Sequence, residues 1–271
     1  MADFTTRPEI RGTFGVATST HWIASAVGMS ILERGGNAFD AAVATGLTLQ
    51  VVEPHLNGPA GDMPAIYYSA KTGDVQVLCA QGVAPAAATI EHFTDLGLTL
   101  VPGSGLLATV VPGAFDGWMM LLKDHGTLSL REVMQPAIDY ARNGHPVLPR
   151  VSHMIAGLAK DFEDEWPSSA AVWLPDGTAP LPHSLFRNPD LADTYERLAA
   201  SKGSTREAQI KTARTAWREG FVAEAIFDYL KDAKVMDVSG AKHSAVLKPS
   251  DMADWRSTVE RPLSYEYEGW M

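Results

Sequence analysis

Cysteine is almost absent from this sequence, and so are the long apolar runs of membrane proteins. Cys79 is the one cysteine in 271 residues, which excludes an internal disulfide and a zinc site built from thiolates. The longest apolar stretches, such as residues 41–52, are interrupted by polar side chains and are too short to span a bilayer. The N-terminus has no basic start followed by an apolar run, so no signal peptide is visible. We therefore predict a cytoplasmic protein without a membrane partner.

Positive charge is also scarce. The chain has 22 Lys and Arg residues against 32 Asp and Glu, a formal net charge of -10, and such a surface repels phosphate backbones and anionic lipid. Nucleic acid is therefore not expected as a partner. With 46% hydrophobic and 20% charged residues, the composition is that of a folded globular protein. We predict a single domain over residues 1–271, interrupted by an irregular, proline-rich excursion at residues 146–190 with one helix at 151–162.

The first third of the chain predicts a strand and two helices that lead into a β-hairpin. Ser19 or Thr20 stands where the N-cap of the first helix is expected. Asn37 is the expected cap of the second helix, which is apolar on nearly all sides and is therefore predicted to be buried. The expected elements are a strand at 14–19, helices at 21–34 and 38–52, and hairpin strands at 65–69 and 75–80 in the interior of a sheet.

The remainder of the chain is mostly helical, judged by the spacing of its apolar residues and by its caps. Ser250 and Asp251 are the expected cap of a last short turn, and residues 262–270 alternate like a strand that has only begun. We therefore expect the chain to be truncated at its C-terminus. The expected helices are 114–124, 130–142, 189–200, 205–219, 221–231 and a turn that ends at 255.

No motif of a self-sufficient enzyme is present. The eight histidines are scattered without metal-ligand spacing, so neither a metal site nor a cofactor site is predicted. The sequence at 103–105 lacks the flanking residues of a nucleophile elbow, and the glycines at 35–36 follow a helix where a dinucleotide fingerprint needs a strand. Cys79 has no cationic neighbour in sequence and is expected to be a core residue. From the residues alone, the chain is a helix-rich domain of mixed α and β structure.

The segment between the second helix and the hairpin is the one candidate binding loop. Turn-forming residues occupy most positions of 55–62, and glycine lets backbone N–H groups approach a ligand closely. Asn57, Gly58 and Gly61 are therefore candidate substrate-binding residues. A plain turn is the competing interpretation.

Several strings of residues, taken in order, resemble the large subunit of the γ-glutamyltransferase (γ-glutamyltranspeptidase) family. The agreement runs from about residue 15 to the end of the chain, and the proline-rich middle agrees least. The most characteristic string is ILERGGNAFDAAVA at 31–44. The other matching strings are GVATSTHWIASAVG at 15–28, VEPH at 52–55 with Gly58 and Gly61, VPGAFDG at 111–117, GTLSLREVMQPA at 126–137, DMADW at 251–255 and ERP at 260–262.

The resemblance implies an α+β N-terminal nucleophile hydrolase, a four-layer αββα sandwich of which this chain supplies the helix-rich large-subunit part. Members are made as precursors that cut themselves, so that a threonine becomes the first residue of a small subunit. Its α-amino group takes the hydroxyl proton, and backbone N–H groups stabilise the oxyanion while an acyl-enzyme forms. The expected partners are that small subunit and a small-molecule amide. No catalytic residue is expected in this chain, which alone is predicted to be inactive.

Gln81 occupies the position where the family's transpeptidases carry an arginine that binds the α-carboxylate of the γ-glutamyl group. An amide supplies no positive charge, so charge-assisted binding of a carboxylate is lost. The alternative to a γ-glutamyltransferase is therefore an amidohydrolase of glutaryl-cephalosporin or oxamate type, which the turn with Asp62 also resembles. A non-catalytic binding protein is the third interpretation. Half a sandwich predicts an apolar face without cover, which distinguishes an incomplete enzyme from a self-contained binding protein.

Overall fold

The computed structural model describes residues 9–270, in which helices predominate. No helix in this part of the chain is long and apolar enough to cross a bilayer. The helices are α1 (Trp22–Glu33), α2 (Ala38–Val52), α3 (Ile90–Asp95), α4 (Ala114–His125), α5 (Leu130–Asn143), α6 (Pro149–Asp164), α7 (Pro167–Trp173), α8 (Pro189–Ala199), α9 (Arg206–Arg218), α10 (Phe221–Leu230) and α11 (Pro249–Asp254). The strands are β1 (Met63–Ser69), β2 (Asp74–Ala80), β3 (His145–Pro146), β4 (Leu185–Phe186), β5 (Val235–Met236), β6 (Lys242–His243) and β7 (Thr258–Glu260).

A capping box determines where α2 begins. The Asn37 side chain accepts hydrogen bonds from the N–H groups of Phe39 and Asp40, and the Asp40 carboxylate accepts from the Asn37 N–H. Asp40 is fully buried, and it also accepts from the backbone and the hydroxyl of Thr127. The helix predicted at 38–52 and its asparagine cap are confirmed.

The predicted cap of α1 is wrong, although the helix itself is present. His21 is the N-cap, because its Nδ1 accepts a hydrogen bond from the Ile23 N–H at 3.1 Å. Neither predicted residue caps the helix, although Ser19 Oγ accepts from the His21 N–H at 3.3 Å just before the helix begins. Ser19 donates through its hydroxyl to the His21 carbonyl, and Thr20 donates to the carboxylate of Glu53.

No strand forms at residues 14–19, where the sequence predicts one. The side chains there alternate in exposure as they do in a strand, with Phe14 65% and Val16 57% exposed. A strand also needs a hydrogen-bonded neighbour, and none of the described strands pairs with this segment.

β1 and β2 form the predicted hairpin, and β7 adds a third strand. Met63 lies opposite Ala80 and Ser69 lies opposite Asp74, and Gly73, at φ +74°, supplies the left-handed residue of the turn. β7 pairs antiparallel with β2, so β2 is central and β1 is an edge of this sheet. The prediction that the hairpin lies in a sheet interior is therefore wrong for β1 among the described strands.

The strand predicted at 262–270 is absent. The last described strand, β7, ends at Glu260, and beyond it only Tyr267 and Trp270 form an isolated antiparallel bridge. Alternating side chains do not make a strand without a neighbour to accept its backbone hydrogen bonds.

The main core lies between one face of the sheet and a layer of helices. α4 packs on the sheet face that carries Leu78 and Ala80, and α2 packs against α1, α4 and α5. We call this side of the sheet the covered face. Close packing depends on small residues: a β-carbon at Gly46 of α2 would overlap the Trp118 ring of α4, and one at Gly117 would overlap Ala80.

Residues 146–190 contain a second, smaller hydrophobic cluster, formed around α6, α7 and the β3–β4 pair. Two helices are present where the sequence predicts one. Pro149 and Pro167 occupy the first turns of their helices. An N–H group at this position has no acceptor within the helix, so the N–H that proline lacks costs no hydrogen bond. Two prolines of the segment predicted to be irregular therefore begin helices.

The predicted cap of α11 is also wrong. The helix begins at Pro249, and the carboxylate of Asp251 accepts from the Lys248 N–H at 2.8 Å. Ser250 lies inside the helix, so it is not the cap. The other predicted helices agree with α4, α5, α8, α9 and α10 to within one or two residues.

Candidate functional site

The face of the sheet opposite the covered face is exposed in the described part of the chain. We call it the open face. Strand alternation places apolar side chains on it, and Ile66 is 70% and Tyr68 is 60% exposed. The open face is formed by Asp62, Pro64, Ile66 and Tyr68 in and before β1, by Val75, Val77, Cys79 and Gln81 in and after β2, and by Thr258 and Glu260 in β7.

Gln81 and Asp62 lie side by side at one end of the open face. Met63 pairs with Ala80, so residues 62 and 81 are the next pair along the hairpin, and Gln81 Nε2 donates to Asp62 Oδ2 at 3.2 Å. Both residues are exposed. No lysine or arginine within residues 9–270 forms an ion pair with Asp62. The predicted substrate-binding glutamine therefore stands beside a carboxylate.

Close backbone packing holds Gln81 in place. A β-carbon at the neighbouring Gly82 would overlap the carbonyl oxygen of Val111. The Val111 N–H in turn donates to the Val83 carbonyl at 3.0 Å. Because two backbone segments meet without intervening side chains, the position of Gln81 is set by the core and not by a loose loop.

Asn57 completes the C-terminal end of α2. Its Nδ2 donates to the carbonyl oxygens of Glu53 at 3.0 Å and Leu49 at 3.3 Å. These oxygens also accept backbone N–H groups of the helix end and the following turn. The amide hydrogens of Asn57 are therefore engaged by the helix. Its contact with a substrate stays a prediction.

The glycines of the same loop connect it to α4. The Gly61 carbonyl accepts from the N–H groups of Gly113 and Ala114 at 3.1 and 2.8 Å, and the Gly61 N–H donates to the Gly58 carbonyl at 3.0 Å. A β-carbon at Gly58 would meet nothing within 4 Å. Gly61 thus fixes the turn that leads into β1, whereas Gly58 is its open corner, and the substrate contacts of both stay predictions.

A buried polar cluster that the motif analysis missed lies where α1 begins and α2 ends. His21 is 1% and Glu53 is 4% exposed. Burial lowers the pKa of His21 and of His55, and the Glu53 carboxylate offsets part of each shift. His21 Nε2 and His55 Nδ1 are buried without a hydrogen-bond partner among the described residues. The available signal was Glu53 itself, because an acid at the end of an apolar helix needs polar partners when it is buried.

A buried ion pair, also missed, joins α4, α9 and the start of β7. Asp116 accepts two hydrogen bonds from Arg214, at 2.6 and 2.8 Å, and two from the N–H and hydroxyl of Ser257, at 3.0 and 2.7 Å. Burial raises the pKa of Asp116, but the Arg214 guanidinium and the Ser257 bonds outweigh it and hold that pKa below its ordinary value. No local spacing predicts this pair, because its members are distant in sequence. It positions the third strand of the sheet.

Cys79 is not a core residue, contrary to the prediction. It is half-buried, because the register that places Leu78 on the covered face turns Cys79 to the open face opposite Pro64. Within the described residues, no group of three or more His, Cys, Asp and Glu could hold a metal ion. The open face therefore presents apolar side chains with amide, hydroxyl and carboxylate groups at its margin, which suits binding of a small molecule beside a second polypeptide.

Most of this chain matches a known protein family. The family described as Gamma-glutamyltranspeptidase matches residues 24–271. The glutathione hydrolase-like YwrD proenzyme of Bacillus subtilis (strain 168) is 33% identical over 262 residues, and the acylase ACY 1 proenzyme of Pseudomonas sp. (strain SE83) is 31% identical over 280 residues. These matches cover 96% and 100% of this chain but only 45% and 46% of the relatives. The solved structure of LmbA2991HD is 50% identical, with a TM-score of 0.93 over 98% of this chain and 46% of that one.

Proposed function

The chain belongs to the gamma-glutamyltranspeptidase family, and from that premise we propose that it is the large-subunit part of an amide-cleaving enzyme. Its fold is that of the N-terminal nucleophile hydrolases. The chain spans less than half the length of the curated relatives described above. The proposed reaction transfers the acyl group of a small amide to a threonine hydroxyl on a small subunit, and then to water or an amine.

The observation that carries the proposal is the apolar open face. An antiparallel sheet with one face in water alternates between apolar and polar residues. Ile66, Tyr68, Val75 and Val77 are apolar on the exposed side instead. Contiguous exposed apolar surface of this kind is typical of a site that another polypeptide covers. In an αββα sandwich, the second sheet provides that cover.

The segment at residues 14–19 supports the same proposal. Phe14 and Val16 alternate with less exposed neighbours, as strand residues do, yet no described strand pairs with them. An edge strand of the small subunit would supply the missing backbone partners. The segment would then become the strand that the sequence predicts.

The chemistry of the proposed enzyme is divided between two polypeptides. The small subunit contributes the threonine, whose own α-amino group is the base, and the oxyanion donors. This chain contributes one wall of the substrate site, which orients the acyl group and keeps water out of the cleft. Gln81 and the turn that carries Gly58 lie at the margin of that wall.

The substrate class follows from Gln81. Without a cation at this position, the α-carboxylate of a γ-glutamyl donor gains no charge-assisted bond, so we propose an amidohydrolase of other acyl amides over a γ-glutamyltransferase. A non-catalytic binding protein is the competing function, and a cytoplasmic location stays a prediction from the sequence.

Intact-mass analysis of the complete protein tests the proposal. We expect two chains, the second beginning with threonine, and hydrolysis of amide substrates by the pair but not by this chain alone. A stable, monomeric chain with no second polypeptide and no hydrolysis would favour the binding protein.

A matched pair of variants tests the role of the open face. Ile66→Lys places a charge in the surface proposed to be covered, and we expect it to prevent association of the two chains. Leu181→Lys is the control, because Leu181 is 74% exposed but lies outside the sheet. Equal association of both variants would show that the open face is not the interface.

A further inference from the structure

The polar pair at one end of the open face points to the kind of acyl group that the enzyme prefers. Resting on the proposed function, we propose that Asp62, oriented by Gln81, receives a hydrogen-bond donor of the substrate's acyl group. The favoured substrates are then amides whose acyl group ends in a carboxamide, or in an ammonium group with no carboxylate beside it. Acyl groups that end in a carboxylate, such as γ-glutamyl and glutaryl, are disfavoured.

The first argument is the place of Asp62 on the sheet. It precedes β1 at one end of the open face, and the apolar side chains of Pro64, Ile66 and Tyr68 follow it along the strand. A second polypeptide that covers the apolar part brings Asp62 to the edge of the covered region. A carboxylate without a counter-charge is costly to bury, so Asp62 is placed at the margin of the interface, where a small molecule can reach it.

The second argument is hydrogen-bonding capacity. An ionised carboxylate has about four acceptor positions, and Gln81 Nε2 occupies one of them with a bond of 3.2 Å. No other hydrogen bond to the Asp62 side chain is present within residues 9–270. The remaining positions are open to N–H donors of a ligand, and the bond from Gln81 restricts the orientation of the carboxylate.

The third argument is the charge of the surroundings. Glu260 lies on the same face, opposite Val77, so the open face has two acidic side chains and no lysine or arginine. A substrate carboxylate beside Asp62 would meet a like charge, which disfavours binding. A carboxamide or ammonium group would donate to Asp62. Sites that bind a donor discriminate against analogues that lack it, because the acceptor of the site is left unpaired.

The test compares two anilides that differ in one group: γ-glutamyl p-nitroanilide and its α-carboxamide analogue. With the complete, processed protein we expect kcat/KM to be at least about tenfold higher for the carboxamide, because it donates to Asp62 where the carboxylate meets a like charge. A higher value for the carboxylate substrate would overturn the assignment.

Three variants locate the effect. Asp62→Asn keeps an acceptor for Gln81 but removes the charge, and we expect the carboxamide preference to fall to near unity. Gln81→Arg supplies a cation and is expected to raise kcat/KM for the carboxylate substrate. Asp74→Asn is the control, because Asp74 is an exposed acid at the opposite end of β2. The ratio of kcat/KM for the two anilides in this variant should equal that of the unaltered protein. An unchanged preference in Asp62→Asn would overturn the proposal.

A binding measurement separates this inference from the proposed function. Calorimetric titration of the complete protein with glutaramide and with its monoacid, glutaramic acid, needs no turnover. Tighter binding of glutaramide, lost in Asp62→Asn, supports the role of Asp62 even if no amide is hydrolysed, a result that would contradict only the proposed function. Tighter binding of the monoacid, or the same affinity for both, contradicts the role of Asp62.

Discussion

The two faces of the three-stranded sheet have similar side chains and opposite environments. On the covered face, Leu78 is 1% and Ala80 is 0% exposed, whereas on the open face Ile66 is 70% and Tyr68 is 60% exposed. Apolar residues on both faces are typical of a sheet that is buried on both sides. The helices of this chain therefore bury one face of the sheet only. The apolar side chains of the open face are suited to burial by a different polypeptide segment.

The largest effect is expected from the ion pair on the covered side. Asp116→Ala leaves the Arg214 guanidinium, whose side chain is 13% exposed, without its counter-charge. We expect the free energy of unfolding to fall by about 4 kcal/mol, measured by urea unfolding of the chain with tryptophan fluorescence. Asp193→Ala, which breaks the exposed pair with Arg142, should lower it by less than about 1 kcal/mol. Similar losses in both variants would contradict a buried, structural role for Asp116.

Two neighbouring residues of β2 compare the faces directly. Leu78→Ala removes a side chain from the core and should lower the free energy of unfolding by about 3 kcal/mol. Val77→Ala, on the open face, should lower it by less than about 1 kcal/mol in the same chain. Urea unfolding of both variants checks the difference. If Val77→Ala were as damaging as Leu78→Ala, the open face would already be covered within this chain.

The buried side chain of His145 in β3 should also make the free energy of unfolding depend on pH. Burial lowers the pKa of His145 from 6.5 to about 4, and His21 adds to the shift. The unfolded chain therefore binds the proton more readily. The contribution of neutral His145 to the free energy of unfolding is fully present above about pH 6.5 and is lost as the pH falls to about 4. At pH 5 the free energy of unfolding should be about 2 kcal/mol lower for this reason.

Urea unfolding between pH 7 and pH 5 measures this loss. The non-titrating variant His145→Gln should show a shallower decline than the unaltered chain, and His153→Gln, at an exposed position, should show the same decline. Parallel profiles for the unaltered chain and His145→Gln would exclude His145 as the source.

The smallest effect on the chain itself is expected from Ile66→Thr. The side chain already meets water, so the free energy of unfolding should change by less than about 0.5 kcal/mol. The variant should nevertheless weaken association with the proposed small subunit, because it removes apolar area from the proposed interface. Size-exclusion chromatography of the two-chain protein checks this. A large loss of stability in the chain alone would mean that Ile66 packs within it.

Elements with a local signal could be predicted from the sequence. Ser129 caps α5 through a capping box with Glu132, and Asn37 does the same for α2, so both helices begin where the sequence indicates. Predictions failed where a residue type has two uses. Proline ends a helix or starts one, and Pro167 does the latter.

The candidate site was predictable only in part. Gln81 and the loop of Asn57 and Gly61 could be chosen from the resemblance and from turn chemistry. The carboxylate of Asp62 beside Gln81 depends on hairpin register, and the partnership of Glu53 with Thr20 depends on how two helices pack. Neither follows from sequence spacing.

The sequence by itself determined most of the helices, the capping boxes that begin α2 and α5, and the family to which the chain belongs. Tertiary structure decided which face of the sheet the helices cover, that Asp62 and Gln81 meet at the margin of the other face, and that the segment at 14–19 pairs with no described strand. Helix signals act within one turn of chain, whereas strand pairing and burial join residues far apart in sequence. Those contacts exist only once the elements have packed.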